Sequence, residues 1–242
     1  MKHIIFSDLH ANYEALKSFE RLIATLDHQK LVCLGDTVGY GADPNRCVQW
    51  VRERAHLVLP GNHDHAAVGK TALTYFNPHA YQSCLWTRNK LSESHKHYLR
   101  SLPLEKQEDG IFWVHSSPWE PERWHYVYSR KDGPMNFDRF QERLCFVGHS
   151  HQPVILEQSP QGEIIDTRAS EFDLKPGHRY IVNVGSLGQP RDGNPDPAFA
   201  VYDSQAEKVV VQRFHYDHRP TQEKILKAGL PGYLAERLSL GK

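Results

Sequence analysis

The chain has 242 residues, long enough for one domain with a substantial core, and its 29 acidic and 29 basic side chains give a formal net charge of zero. A neutral chain lacks the broad basic surface by which proteins hold long nucleic acids, and no apolar run approaches the roughly 20 residues of a membrane span. We therefore expect a single domain over residues 1–242 that enters no membrane and binds no long nucleic acid.

The cellular compartment is predicted from the chain start and the cysteines. The first residues are a strand candidate without the apolar core of a signal peptide. The four cysteines are scattered, without the CxxC spacing of a thiolate metal site. Cys33 and Cys145 lie in apolar runs, where a free thiol behaves as a small hydrophobic side chain. We expect a cytoplasmic protein, and its oligomeric state is unknown from the sequence.

Eight short apolar runs bounded by Gly, Pro or Asp are predicted to be β-strands. They are residues 3–6, 31–34, 57–59, 111–114, 144–147, 180–184, 199–202 and 209–214. The first three alternate with helix candidates, which is typical of a parallel sheet. The last third of the chain is predicted to be mostly strands and turns, and its final two strands to form a hairpin.

Four helices are predicted from apolar spacing and from residues suited to begin a helix. Asn12 is expected to cap a helix over residues 15–26, and Asp43, followed by Pro44, to cap the next. Asn77 and Ser92 are expected to cap two more helices. The final 21 residues predict two further short helices.

The helical stretch 66–102 is predicted to be an insertion, or cap, between strands. Four aromatic side chains are expected to form the cap's own core: Tyr75, Phe76, Tyr81 and Trp86. Near the end of the chain, basic side chains recur at helical spacing, and this pattern predicts a solvated helix face. They are Lys224, Lys227, Arg237 and Lys242.

Side chains of metal-ligand type follow five of the predicted strands. They are Asp8 and His10, Asp36, Asn62 with His63 and Asp64, His115, and His149 with His151. In an extended chain residues i and i+2 point to one side, so Asp8 and His10 are expected to face one point. Sites in open α/β sheets are built at the carboxyl ends of strands. Five such ends, with only oxygen and nitrogen donors, predict a metal site.

The motifs DLH, GD, GNHD, a lone His after a strand, and GHSH, in this order, resemble those of the calcineurin-like metallophosphoesterases. The resemblance extends from residue 1 to about residue 203. The phrases GDTVGYGADP, VNVGSLGQPRDG and AGLPGYLAERL are similar to those of a branch of small bacterial and archaeal members. The resemblance implies an α/β fold: a four-layer α/β/β/α sandwich of two mixed β-sheets flanked by helices.

The same resemblance implies a dinuclear metal centre with three ligands for each ion and one bridging carboxylate. In that order these residues are Asp8, His10 and His151; Asn62, His115 and His149; and Asp36. Two divalent ions a few ångströms apart need an anionic bridge to offset their repulsion, which agrees with a shared Asp. Oxygen and imidazole donors suit Mn, Fe or Zn, and we expect Mn to activate the protein in vitro.

His63 is the remaining motif residue, and the resemblance implies that it is catalytic rather than a metal ligand. It would stabilise the phosphoryl oxygens and protonate the leaving oxygen. Asp64 is expected to orient its imidazole, as acidic partners often do. Asn62 is expected to face the substrate as well as a metal ion.

The sequence departs from the family pattern after GD. Phosphoprotein phosphatases and diadenosine tetraphosphatases carry GDxVDRG, whose arginine grips phosphate, whereas this chain has Gly39 and Tyr40 at the Asp and Arg positions. Arg191, in a Gly- and Pro-rich loop, is a candidate replacement; the alternative is a surface arginine. The departure argues against a protein phosphatase and against a close copy of the diadenosine tetraphosphatases, and it favours a diesterase.

These features predict a metal-dependent phosphoesterase in which a metal-activated hydroxide hydrolyses a small phosphodiester or nucleotide-type substrate. A phosphomonoesterase and a dinucleotide pyrophosphatase are alternatives that the cap would decide. A non-catalytic scaffold of the same fold is the alternative from another class, and the full set of ligand residues argues against it. Four aromatic residues are expected either to stack a nucleobase or to pack a cap. They are Trp119, Trp124, Tyr126 and Tyr128.

Overall fold

Twelve β-strands form two six-stranded sheets in the computed structural model, which describes the backbone of residues 1–242 and all their side chains except that of Tyr75. In chain order the strands are β1 (Lys2–Phe6), β2 (Lys30–Cys33), β3 (Leu57–Val58), β4 (Glu105–Glu108), β5 (Ile111–Val114), β6 (Leu144–Val147), β7 (Val154–Gln158), β8 (Ile164–Thr167), β9 (Glu171–Asp173), β10 (Arg179–Asn183), β11 (Ala198–Asp203) and β12 (Lys208–Arg213). The first sheet has the order β3-β2-β1-β11-β12-β9, and the second β4-β5-β6-β10-β7-β8.

Both sheets are mixed. In the first, β1, β2 and β3 are parallel, as their alternation with helices predicts, while β1 and β11 are antiparallel. In the second, β5, β6 and β10 are parallel and β7 runs against β10. The expected hairpin of β11 and β12 is confirmed. Both sheets therefore carry parallel strand ends at which loops can gather.

The side-chain alternation of the strands divides the core into layers. Ile5 of β1 packs against Trp113 and Phe146 of the second sheet, so the two sheets bury one face against each other. Phe6, the next residue, points the other way and packs against Phe19 on a helix. The predicted four-layer sandwich, two mixed sheets flanked by helices, is confirmed.

Eight α-helices connect or flank the described strands. They are α1 (Tyr13–Ile23), α2 (Pro44–Arg54), α3 (Asn62–Ala67), α4 (Pro78–Lys90), α5 (Glu93–Ser101), α6 (Gly133–Phe137), α7 (Arg219–Lys227) and α8 (Gly232–Glu236). Side chains of Asn12, Asn77 and Ser92 accept the expected capping hydrogen bonds at α1, α4 and α5. Asp43 makes no such bond, because its carboxylate accepts from Lys224 instead. Of the helices described, none is long and apolar enough to cross a membrane.

The sequence prediction misses four strands: β4, β7, β8 and β9. Strands β4 and β9 are short and largely polar segments at sheet edges, and β8 closes the far edge of the second sheet. Edge strands need no long apolar run, because they bury little. Strand β7 is internal and begins with the buried run Val-Ile-Leu. This run is an apolar strand signal, but the sequence prediction does not include it.

The cap contains α4 and α5, as expected, but the prediction that it has its own aromatic core is wrong. Phe76 and Trp86 pack against a cluster that includes Ile225 and Leu234 of the C-terminal helices, and Tyr81 is exposed. Tyr75 has a side chain outside the described residues. The C-terminal helices supply an apolar partner that a local pattern does not reveal.

Candidate metal centre

The loops that follow the strands place their polar side chains through left-handed backbone turns. β1 ends at Phe6, and Asp8 and His10 have φ angles of 55° and 50°. Asp36, His149 and His151 also lie in the left-handed region, at 50–65°. Such angles are uncommon for residues other than glycine and cluster at functional sites. The extended i, i+2 argument is therefore the wrong reason for the proximity of Asp8 and His10.

Two clusters of possible ligand atoms share one carboxylate, and the atoms within each cluster lie within 4.8 Å of one another. The first comprises Asp8, His10, Asp36 and His151, and the second Asp36, His115 and His149. All six residues are buried. Their grouping, with Asp36 in both clusters, agrees with the one that the family resemblance implies for these six residues; Asn62, the remaining predicted ligand, belongs to neither cluster.

Possible ligand atoms of different residues lie close together at the centre of the two clusters. His151 Nε2 lies 3.3 Å from Asp8 Oδ1, and 3.1 Å from His10 Nε2. Asp36 Oδ2 lies 3.6 Å from His10 Nε2 and 3.4 Å from His115 Nε2, one from each cluster. The atoms of Asp36 thus lie between the two groups of histidines.

Each of the four cluster histidines places one ring nitrogen beside a backbone carbonyl oxygen, at 2.5–3.1 Å. The pairs are His10 Nδ1 with Val38, His115 Nδ1 with Leu34, His149 Nε2 with Trp124, and His151 Nδ1 with Gln189. A ring nitrogen that donates to a carbonyl leaves the lone pair on the other nitrogen. This is the usual support of metal-binding histidines.

Three buried polar atoms at this centre have no hydrogen-bond partner: Asp8 Oδ1, Asn62 Oδ1 and His115 Nε2. Buried polar atoms without partners are rare, so each of these needs an explanation. A cation would satisfy all three. The residues present therefore fit divalent metal ions.

Burial and the neighbouring charges shift the pKa values of the groups at the centre in different directions. Burial raises the pKa of Asp8 to about 7, whereas for Asp36 the neighbouring histidines outweigh burial and hold the pKa well below its usual value. Burial alone would lower the pKa of His115, but the carboxylates led by Asp36 raise it to about 9. His115 thus binds a proton where a metal ion would supply positive charge instead.

Two glycines let the backbone approach the carboxylates. A Cβ added to Gly61 would lie 2.0 Å from Asp36 Oδ1, and one added to Gly148 2.6 Å from Asp8 Oδ2. The space is used for hydrogen bonds, because the backbone N–H groups of His63 and His149 donate to those same oxygens. The motif glycines therefore serve close packing around the carboxylates.

His63 lies beside the clusters and outside both. Its ring packs 4.4 Å from Tyr40, 4.9 Å from His10 and 5.0 Å from Phe76, measured between centroids. Its Nδ1 lies 3.4 Å from Cys84 Sγ, a partner that sequence reasoning missed. Asn62, at the start of α3, lines the same cleft.

Asp64 does not orient His63, so that prediction is wrong. Its carboxylate accepts hydrogen bonds from the backbone N–H groups of Gly61, Thr37 and Val38, at 3.0–3.2 Å. Asp64 therefore joins the loop after β2 to the start of α3. A buried carboxylate that accepts hydrogen bonds from backbone N–H groups is typical of a residue that stabilises loops and not of one that relays protons.

Arg191 lines the cleft with its guanidinium held at Gln189, whose Oε1 accepts from Nη2 at 2.8 Å. The guanidinium carbon lies 5.5 Å from the centroid of Tyr40. Gln189 also contributes the carbonyl that faces His151, so one residue supports both a cluster histidine and this arginine. Sequence reasoning missed Gln189, although it lies in the phrase VNVGSLGQPRDG.

The cleft over the clusters has a volume of about 640 Å³ and an aromatic wall. Trp124 and Tyr126 line it, and the Tyr126 ring stacks on His149 with centroids 4.2 Å apart. Tyr128 stacks on the far side of Tyr126 at 5.2 Å, whereas Trp119 stacks on His125. Of the four aromatics predicted to stack a base or pack a cap, two thus border the cleft.

The prediction that Arg237 lies on a solvated helix face is wrong. The residue is only 9% exposed, and its guanidinium carbon lies 5.8 Å from the Tyr40 ring centroid. Local spacing could not show this, because Tyr40 is almost 200 residues away in the chain.

The chain is similar to known proteins in both sequence and fold. The family model described as calcineurin-like phosphoesterase superfamily domain matches residues 1–207. An uncharacterised protein of Methanocaldococcus jannaschii is 37% identical over 243 residues, covering 98% of this chain and 97% of the relative. The crystal structure of a metallophosphoesterase from Sphaerobacter thermophilus, 37% identical, superposes with a TM-score of 0.89 over 100% of this chain and 99% of that one. A hypothetical protein of Pyrococcus horikoshii shares the fold at 18% identity, with a TM-score of 0.81 over 100% and 98%.

Proposed function

The chain belongs to the calcineurin-like phosphoesterase superfamily, and from this premise we propose that it hydrolyses a small phosphodiester or nucleotide-type substrate with the help of two metal ions. The observation that carries the proposal is the pair of ligand clusters that share Asp36 at the floor of a large cleft. A scaffold without catalysis would not need this set of ligand residues beside a histidine that lines the cleft.

We assign the two ion positions to the two clusters. Asp8, His10 and His151 would hold one ion, and His115, His149 and Asn62 the other, with Asp36 shared. Bound divalent ions at such a centre supply a nucleophile from water near neutral pH and offset negative charge on phosphoryl oxygens. The donor set suits Mn, Fe or Zn, and Mn is the ion that we expect to restore activity in vitro.

The chain's own side chains would bind and orient the phosphate. Burial lowers the pKa of His63 to about 4 in the free protein, and a bound phosphate anion would raise it, so that the protonated imidazole could donate to a phosphoryl oxygen and protonate the leaving oxygen. Arg191 would neutralise part of the phosphate charge from the wall of the cleft. A phosphate placed between these two groups would lie above the clusters.

The replaced GDxVDRG pattern supports a diesterase over a protein phosphatase. A Cβ on Gly39 would lie 2.4 Å from His63 Nδ1, so an aspartate at this position is incompatible with the observed place of His63. Tyr40 stands where relatives have arginine and packs its ring on His63. Phosphomonoesterase activity is the alternative that the experiment below separates.

The test compares the hydrolysis of bis-p-nitrophenyl phosphate with that of p-nitrophenyl phosphate. The protein is stripped with chelator, reconstituted with Mn²⁺ and assayed beside His63→Ala and the exposed control His97→Ala. We expect metal-dependent diester hydrolysis that falls about 10²–10⁴-fold in His63→Ala, the contribution of one general acid, with metal content unchanged. His97→Ala is expected to match the wild type.

Three results would count against the proposal. Faster hydrolysis of the monoester than of the diester would indicate a phosphomonoesterase instead. Two bound ions without hydrolysis of either ester would contradict the substrate class, and the absence of both metal and hydrolysis would leave only the scaffold. The expected cytoplasmic location is a separate prediction, which fractionation of cells that produce the protein would test.

A further inference from the structure

The His63 ring has one hydrogen-bond partner among the residues that the structure describes. Its Nδ1 lies 3.4 Å from Sγ of Cys84, a fully buried side chain on α4. The four cluster histidines differ from His63, because each has a backbone carbonyl oxygen beside one ring nitrogen. A thiol is both a weak donor and a weak acceptor of hydrogen bonds. The orientation of the His63 ring therefore depends on a different kind of partner.

No carboxylate takes the place of this thiol. Asp64, the next residue in the chain, accepts hydrogen bonds from three backbone N–H groups instead. Gly39 also borders the ring, and a Cβ added there would lie 2.4 Å from His63 Nδ1. A longer side chain at this position therefore cannot stand beside the ring where it lies. The partner of His63 comes from the cap and not from the loop after β2.

The contact determines which nitrogen of His63 is left for a substrate. Burial raises the pKa of the Cys84 thiol, so the group is neutral at physiological pH. The S–H group can donate to Nδ1 of a neutral imidazole, and Nδ1–H of a protonated imidazole can donate to Sγ. In both states a proton remains on Nε2. His63 lines the cleft but Cys84 and Gly39 do not, so Nε2 is the nitrogen that can reach a phosphate ester.

The residue before Cys84 joins the same helix to the loop after β2. Ser83 Oγ accepts a hydrogen bond from the backbone N–H of Tyr40 at 2.6 Å. The Tyr40 ring packs on His63 with centroids 4.4 Å apart, and Phe76, just before α4, packs on it at 5.0 Å. Helix α4 thus contacts the His63 ring directly through Cys84 and indirectly through Tyr40.

We propose that Cys84 is a positioning residue for His63, through which the cap holds the imidazole with Nε2 toward the substrate. This inference rests on the proposed function and adds to it a residue that touches neither the substrate nor a metal ion. The alternative is a thiol that only fills space in the interior, as buried cysteines often do. The two roles predict different kinetics when the thiol is removed, because only the first acts through His63.

The first experiment compares two phosphodiesters whose leaving groups need protonation to different degrees. Diphenyl phosphate releases phenol, which is far less acidic than the p-nitrophenol released by bis-p-nitrophenyl phosphate. In Mn²⁺-loaded Cys84→Ala we expect kcat for diphenyl phosphate to fall about 10-fold, the value of one hydrogen bond, and kcat for bis-p-nitrophenyl phosphate to fall less than about 3-fold. KM and metal content should remain those of the wild type.

Three variants serve as controls for this comparison. Cys84→Ser keeps a polar partner for Nδ1 and should restore most of the lost kcat, whereas Cys84→Val fills the space without one and should not. If Cys84→Ala does not fold, Cys84→Val takes its place. Cys47→Ala removes a thiol that is also fully buried on a helix, but one that makes no contact with His63. It is expected to match the wild type on both esters.

The second experiment does not need activity. The Zn²⁺-loaded protein is labelled with nitrogen-15 at histidine, and the NMR signals of the His63 ring are identified as those that His63→Ala lacks. Loss of the hydrogen-bond partner should shift the Nδ1 signal of His63 in Cys84→Ala. The signal should stay near its wild-type position in Cys84→Ser and should be unchanged in Cys47→Ala.

The outcomes separate this inference from the proposed function. Equal losses on the two esters in Cys84→Ala, no recovery in Cys84→Ser, or an unchanged His63 Nδ1 signal would each overturn the positioning role and leave the phosphoesterase. A wild-type protein with two bound ions that hydrolyses neither ester would overturn the proposed function itself. The NMR comparison would then still decide whether Cys84 holds the ring.

Discussion

The ligand clusters and the wall of the cleft above them are built on different principles. The cluster residues lie in the loops that follow β1, β2, β5 and β6. Each cluster histidine has a ring nitrogen at hydrogen-bond distance from a backbone carbonyl oxygen. The wall comes from the cap, the segment after β5 and the loop after β10, and it meets the cleft with side chains. A rigid sheet thus positions the candidate metal centre, while the cap and loops line the cleft above it.

The difference is informative because it predicts which kinetic constant each region controls. Changes in the clusters should remove metal ions and lower kcat. Changes in the wall should alter KM and substrate choice while metal content stays the same. The predictions that follow test this division, beginning with the largest effect.

Asp36→Asn should abolish most activity, because it removes the one carboxylate that both clusters share. We expect kcat to fall by more than about 10⁴-fold, beyond the range of a single general acid, and bound metal to drop below two ions per chain. Elemental analysis of the purified protein and steady-state assays measure both. A variant that retains two ions and a rate near the wild type would contradict the bridging role.

The metal-free protein should lose stability as pH rises from about 6.5 to 9. His115 has a pKa raised to about 9 in the folded state, so in this window the folded chain binds a proton that the unfolded chain has released. Its contribution is complete below about pH 6.5 and is lost through pH 9, by about 3 kcal/mol. Thermal unfolding in chelator measures the trend, and His115→Gln should flatten it. A wild-type Tm that is constant across this range would refute the prediction.

Gly61→Ala should destabilise the region where the backbone approaches Asp36, since the new Cβ would lie 2.0 Å from Oδ1. We expect a loss of about 1–3 kcal/mol in the free energy of unfolding, with weaker metal binding. Gly232→Ala is the matched control, because its Cβ would meet its nearest atom at 3.9 Å. Denaturant unfolding compares the two, and similar stabilities would show that the close approach is tolerated.

Gln189→Leu should have the smallest effect and should act on the wall alone. It removes the side-chain oxygen that holds Arg191 but keeps the backbone carbonyl beside His151. We expect KM for a phosphodiester to rise about 2–10-fold, the value of one hydrogen bond, with kcat and metal content preserved. A fall in metal content instead would mean that the wall and the clusters are not independent.

Much of the fold near the centre could be predicted, because buried strands carry a local signal. The bounds predicted for residues 111–114 and 144–147 are those of β5 and β6, and the Asn12 cap lies where expected. The polar edge strands β4 and β9 could not be predicted, since an edge strand is defined by its neighbour in the sheet more than by its own pattern.

The sequence by itself determined the family, the order of the motifs and the residue types of both clusters, because those properties reside in short contiguous segments. Only the tertiary structure decided their supports: the carbonyls behind the histidines, Asp64 on loop amides and the left-handed turns at Asp8 and His10. It also decided that Arg237 faces Tyr40 from almost 200 residues away. Such contacts depend on how the sheets and the tail pack together, and no local pattern in the chain encodes that distance.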